Sequence, residues 1–314
     1  MAGAALLLTA CSSSSAGKGS TASTAGAAST AGSSAPPSTS APSTSAKPAP
    51  PAKKVHVSGY PDGSTVGVGM PIIATFNRKI TSGVEFAKHV TVTVNGKPVT
   101  TGGWYFENSD PKSGHRMEAH YRLPDFWPAH AHVHVAFDLK GVSAGTGLAF
   151  DGKLTSLDFD TGPRNIGVVD DGSHTITITS DGNRKYRFPV SLGANNTPTA
   201  RGVKVIMEKG ASICMSGPGY HECGVEYTQR LTYGGEYLHA APWNTSNINH
   251  GVDSSNGCTN LYTQDAKTLY DFLRIGDVVE YPNANGPAMS MGAGYGDWNV
   301  PWVQWQTGGA VAVS

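Results

Sequence analysis

A chain of 314 residues is long enough for two globular domains. Its 23 basic residues are balanced by 23 acidic ones. No concentrated positive surface is offered to a polyanion, and nucleic acid is not an expected partner.

The opening run Ala4-Ala5-Leu6-Leu7-Leu8-Thr9-Ala10-Cys11 resembles the end of a bacterial lipoprotein signal over residues 1–11, with Leu8 to Cys11 as the lipobox and Cys11 as the lipidated residue. The apolar run is short and no Lys or Arg precedes it, so the recorded start is read as truncated. Residues 12–54 follow as a linker. From Ser12 to Ala52 only Lys18 and Lys47 interrupt Ser, Thr, Ala, Gly and Pro, a composition with nothing to bury and therefore expected to be disordered. Its mean span is on the order of 35 Å. Anchor and tether together predict an extracytoplasmic protein, held by lipid on the outer face of the cell membrane and reaching into the cell-wall space.

Residues 55–162 read as short strands between turns. Alternation is visible over 90–94, 133–137 and 154–159, and Asn95-Gly96 is a hairpin signal. With no long helical period, an immunoglobulin-like β-sandwich is expected. His130, His132 and His134 fall on one strand face, with His115 and His120 on a neighbour. An exposed polar face is the default reading there: neither carboxylate nor cysteine stands at ligand spacing, and no metal is assigned.

Strands continue through residues 163–282, over 174–179, 185–190, 203–207 and 237–239, with Asp181-Gly182 between the first two. One helix is predicted from Thr263 to Leu273, started by Thr263 with Asp265 in its first turn and ended before Gly276. The chain is thus mainly β, a sandwich followed by a β-rich domain with one or two short helices. Residues 283–314 form a C-terminal extension, whose Trp298, Trp302 and Trp305 are expected to pack on that second domain.

Between His239 and Asn260 the chain carries both an imidazole and a thiol. A thiol attacks a carbonyl only as thiolate, and histidine is the side chain suited to take its proton near neutral pH. His239 and Cys258 stand 258 − 239 = 19 positions apart, enough for a strand end, a loop and a return. Gly257 clears space for a substrate carbonyl, and the consecutive N–H groups of Gly257 and Cys258 suit an oxyanion hole.

His239-Ala240-Ala241-Pro242-Trp243 and Ser255-Asn256-Gly257-Cys258-Thr259-Asn260 resemble the signature of the L,D-transpeptidases (the YkuD-type catalytic domain), ordinarily H-x-A-P-W followed by S/T-H-G-C-x-N. The likeness extends to the Asn196–Gly202 turn, to the helix and strand over 266–281, and to the Gly296–Trp302 tail of actinobacterial members, which often carry an immunoglobulin-like domain before the catalytic one. Asn256 departs from the pattern, standing where the family usually has histidine. An amide cannot be protonated, so rate or pH optimum is expected to differ.

The resemblance implies a peptidoglycan tetrapeptide stem as donor. Cys258 attacks the carbonyl joining diaminopimelate to terminal D-alanine, His239 takes the thiol proton, and D-alanine leaves a thioester; the amine of an acceptor stem then gives a 3-3 cross-link. The Ala240 carbonyl orients the imidazole, and Asn260, Asn256, Gly234, Gly235 and a lid tyrosine, Tyr220, contact substrate. Carbapenems act on such enzymes as covalent inhibitors. No cofactor is expected, and the chain is read as a monomer. With Cys11 and Cys258 assigned, Cys214 and Cys223 remain; in an oxidising compartment they are expected to form a disulfide that stiffens the lid, against two free thiols or half a metal site.

Water in place of the acceptor amine makes an L,D-carboxypeptidase, and the Asn256 departure beside a sandwich domain motivates a third reading, a non-catalytic cell-wall-binding lipoprotein. Sortases need a longer separation and a later arginine, while papain-like and NlpC-type peptidases place cysteine first. Order and spacing therefore disfavour both.

Overall fold

The computed structural model describes residues 51–109, 113–217 and 219–313, with Tyr220 described in its backbone alone. The expected signal, the lipidated Cys11 and nearly all of the linker lie outside the described residues. Lys53 and Lys54, assigned above to the linker, already belong to the strand Lys53–Val55.

The first domain is a β-sandwich. One sheet orders Ser64–Val66, Ser156–Thr161, His132–Phe137, Val90–Val94 and Lys97–Pro98; the other orders Val57–Tyr60, Ile72–Phe76, Met117–Arg122 and Gly103–Glu107. The period-2 pattern explains the layers: Val90 and Val92 are buried opposite Phe137 and Val135, while Thr91 faces out. Between the sheets Phe76, Phe86, Phe106 and Phe150 meet with ring centroids 5.2–6.3 Å apart, each burial worth about 1.5–3 kcal/mol. Asn95 and Gly96 both have positive φ, 50° and 74°, which matches the twist of the hairpin they close.

The histidine face differs from expectation. His132 and His134 lie on the strand and meet Asp158 and Asp160 of the adjacent strand at 2.7–3.4 Å. His130 precedes the strand with φ of 54° and pairs with Asp181 instead. His120 sits in the other sheet.

In the second domain a five-stranded sheet orders Asn183–Pro189, Thr175–Ser180, Asn165–Asp170, Val278–Tyr281 and Gly202–Val205. A four-stranded sheet orders Glu208–Gly217, Tyr220–Arg230, Tyr237–Ala240 and Thr259–Leu261. The helix Thr263–Phe272 buries Ala266 and Leu269 in a core with Leu238, Leu261 and Tyr281. The domains abut where Gly67 and Gly69 donate to the carbonyls of Ile275 and Gly276. A Cβ on Gly67 would lie 2.0 Å from the Asp277 nitrogen, so only glycine allows this approach.

The extension corrects the expectation for its tryptophans. Asn299 does bind Val203 of the second domain through both amide atoms. The tryptophans instead pack on the sandwich: Trp298 and Trp305 donate to the carbonyls of Gly69 and Gly103, and Arg122 lies over the Trp298, Trp302 and Trp305 rings at 5.0, 5.2 and 4.4 Å. Stacking on a planar guanidinium is favourable and needs no solvent-facing ring.

Candidate active site

Tyr237–Ala240 and Thr259–Leu261 run parallel, with Leu238 opposite Thr259 and His239 opposite Asn260. Because strand side chains alternate, Leu238 and Ala240 enter the core and His239 points to the opposite face. There a cavity of about 320 Å³ is lined by His239, Cys258, Asn256 and Asn260, with Trp243 beside them and Met215, Glu222 and Val225 contributed by the long hairpin above.

His239 Nδ1 lies 2.7 Å from the Ala240 carbonyl. A carbonyl only accepts, so Nδ1 carries the proton and Nε2 keeps its lone pair. Burial holds His239 below the ordinary histidine pKa, against the opposing effect of that bond. Burial also pushes the Cys258 thiol up to about 12; the Tyr237 backbone and Lys204 oppose this and Glu236 adds to it. The resting pair is therefore a neutral thiol and a neutral imidazole. Cys258 Sγ is directed at the Gly235 carbonyl, 3.5 Å away, in the turn where Gly235 adopts φ of 97°. Gly234 precedes it in the same turn.

The loop before Cys258 is held by hydroxyls. Ser255 Oγ donates to the Cys258 carbonyl at 2.6 Å and accepts the Gly257 N–H at 3.2 Å. The Gly257 N–H, expected to face a substrate oxygen, is thus engaged within the loop. Gly257 itself has φ of +100°, which a residue with a Cβ adopts only under strain. Thr197 and Thr199 clamp the loop from the other side, donating to the carbonyls of Ser255 and Gly257 at 2.8 and 3.0 Å. Asn260 is buried and its Oδ1 has no partner among the described residues, while Asn256 is exposed at the rim.

Two comparisons of sequence meet this geometry. Residues 164–280 match the L,D-transpeptidase catalytic domain family, and residues 12–143 match a bacterial Ig domain family. The chain carries an L,D-transpeptidase catalytic domain behind an immunoglobulin-like domain. It is 30% identical over 260 residues to L,D-transpeptidase 2 of Mycobacterium tuberculosis, a match covering 80% of this chain and 61% of that protein. With L,D-transpeptidase 5 of the same organism it shares 30% over 250 residues, 78% of this chain and 54% of the relative. The chain therefore spans less than two thirds of either relative's length. Among solved structures, LD transpeptidase LdtMt1 in complex with imipenem superposes with a TM-score of 0.57 at 26% identity, covering 74% of this chain and 100% of that one. L,D-transpeptidase 3 from Mycobacterium tuberculosis, in complex with a faropenem-derived adduct, gives 0.56 at 28%, covering 72% and 97%.

In this L,D-transpeptidase domain the hairpin of Glu208–Gly217 and Tyr220–Arg230, expected to be the lid, lines the cavity, and Cys214 is disulfide-bonded to Cys223 across it. The side chain of Tyr220 lies outside the described residues; its backbone pairs with Gly217 at the tip. Opening the disulfide with a Cys214→Ser/Cys223→Ser pair removes a constraint worth roughly 2–3 kcal/mol. Faster amide hydrogen exchange confined to the hairpin is the expected result, and unchanged exchange there counts against a stiffening role.

Several residues around this site escape sequence reasoning. Lys204 is buried close enough to Cys258 for their charges to interact, ion-paired to Glu236 and 3.9 Å from the centre of the Tyr281 ring, whose hydroxyl meets Thr259 Oγ1 at 2.7 Å. Glu236 also accepts the Ala200 N–H at 2.9 Å and faces Gly257. A lysine in a strand reads as solvent-facing, and only the register reveals it as buried. Ser255, Thr197 and Thr199 lie within quoted motifs, yet their roles appear only when the loops come together.

Proposed function

We propose that the protein is a peptidoglycan L,D-transpeptidase that forms 3-3 cross-links through a thioester on Cys258. The observation that carries this reading is the tautomer of His239: the Ala240 carbonyl holds the proton on Nδ1 and leaves Nε2 as a base on the cavity that Cys258 also lines. The thiol proton passes to Nε2 as sulfur adds to the donor carbonyl, and the imidazolium then protonates the leaving amine of D-alanine. The acceptor amine attacks the thioester, expels the thiolate, and its proton returns to Cys258 through His239. With the Gly257 N–H bound to Ser255, the Cys258 N–H is the donor for the developing oxyanion. Asn260 Oδ1 accepts an amide N–H of the stem. Glu222, the one carboxylate lining the cavity among the described residues, draws in the cationic acceptor amine.

Cys11 as lipid anchor and residues 12–54 as tether would carry this domain, acting as a monomer, into the wall. Incubation with disaccharide-tetrapeptide tests the reaction: a cross-linked dimer with release of D-alanine is expected. Tripeptide without dimer assigns the protein as an L,D-carboxypeptidase, and no conversion leaves a non-catalytic wall-binding protein.

The pH dependence follows from the base. Neutral His239 is required and its pKa is depressed, so acylation persists below the ordinary histidine midpoint of about 6.5 and is lost only as acid protonates Nε2. Acylation rates measured against pH are expected to place the acid limb below that value; a limb above it contradicts a buried neutral base.

A further inference from the structure

Away from the catalytic cavity, three side chains converge where the sandwich meets the C-terminal extension. Glu107 and Glu118 are directly opposite across two strands, and His120 follows Glu118 by two positions, so all three share one face. Like charges placed opposite each other destabilise a sheet unless something compensates them. One ligand atom from each lies within 4.8 Å of the others.

His120 is 1% exposed, and its Nδ1 donates to Asp297 Oδ1 at 2.8 Å. Asp297 is itself fully buried. That bond leaves Nε2 facing Glu107 Oε1 at 4.0 Å, too far for a hydrogen bond, and Nε2 has no hydrogen-bond partner among the described residues. A histidine that binds a metal through one nitrogen and donates the other N–H to a carboxylate has this same arrangement.

We propose that Glu107, Glu118 and His120 Nε2 bind a divalent cation, zinc by the character of the donors, with Asp297 orienting the imidazole. One nitrogen and two carboxylates make a three-ligand zinc set, and small rotations of the two glutamates bring the oxygens in. His115, whose Nε2 lies 3.2 Å from Glu118 Oε2, borders the site. Glu118 stands two positions from His120 on one strand, and the sheet supplies Glu107 opposite it. The site meets the extension through the His120–Asp297 bond, and the extension reaches the active site: the Ala293 carbonyl accepts the Tyr233 N–H at 2.8 Å, two residues before Gly235, whose carbonyl meets Cys258.

The test uses the full chain with Cys258→Ser, which removes the free thiol as a competing ligand. After chelation, the protein is dialysed against zinc, bound metal is counted by mass spectrometry, and affinity is measured by calorimetry. One zinc per chain is expected. Glu107→Gln and Glu118→Gln should each weaken it at least about tenfold, and Asp297→Asn about 10–100-fold. His132→Ala/His134→Ala should leave it unchanged. On the unsubstituted site, cobalt should give visible d–d bands, and imidazole ¹⁵N spectra should show His120 protonated at Nδ1 alone once zinc is added. The proposal is overturned if no zinc is retained, if the glutamine variants hold it equally well, if the His132/His134 pair abolishes binding, or if both His120 nitrogens stay protonated with zinc present.

Discussion

His239→Gln is expected to slow acylation of Cys258 by about 10²–10⁴-fold, the usual contribution of a positioned general base. With the thiol pushed up to about 12 by burial, only on the order of one molecule in 10⁵ carries a thiolate at neutral pH. In the proposed mechanism there is therefore no standing nucleophile, and the thiolate forms as the proton moves. Glutamine fills similar space and can still donate to the Ala240 carbonyl, so the variant removes the base with little change in packing. The measurement is the second-order rate of adduct formation with imipenem. A loss smaller than tenfold would mean that another group accepts the proton.

Lys204→Met is expected to destabilise the protein by about 3–5 kcal/mol, because it leaves the Glu236 carboxylate without its buried partner. At about 2–4 °C per kcal/mol for a domain of this size, calorimetry reads the loss directly. Glu236 faces Gly257 and its charge already raises the Cys258 pKa, so an unpaired carboxylate there also slows acylation. Replacing both members, Lys204→Met with Glu236→Gln, should recover most of the stability, since the uncompensated charge is gone. A single variant as stable as the wild type would show that the pair is solvated and not a buried support.

Much of this was legible before any coordinates. His239 and Cys258 line one cavity, and their expected pairing came from the strand period and the order of the two motifs, both of which act over short range. Asn95-Gly96 and Asp181-Gly182 announced their turns because both positions of each adopt positive φ, which few residues tolerate. What stayed hidden depends on register between distant segments. The acids facing His132 and His134 come from a strand more than twenty residues away, and Lys204 looks like any surface lysine until its neighbours are known. The helix Thr245–His250 is built of poor helix formers, held by amide and hydroxyl contacts among Asn244, Asn247 and Ser254, which no periodicity reports. The engagement of the Gly257 N–H by the neighbouring Ser255 hydroxyl was hidden for a related reason. The tryptophans were assigned to the wrong domain because apolar character says that a ring is covered, and not by what.

Intact-mass spectrometry of the protein incubated with imipenem, followed by peptide mapping, tests most directly whether Cys258 is the nucleophile. A single adduct is expected on the peptide containing Cys258, absent from Cys258→Ala. An unmodified wild-type protein, or an adduct that persists in the alanine variant, would contradict the account.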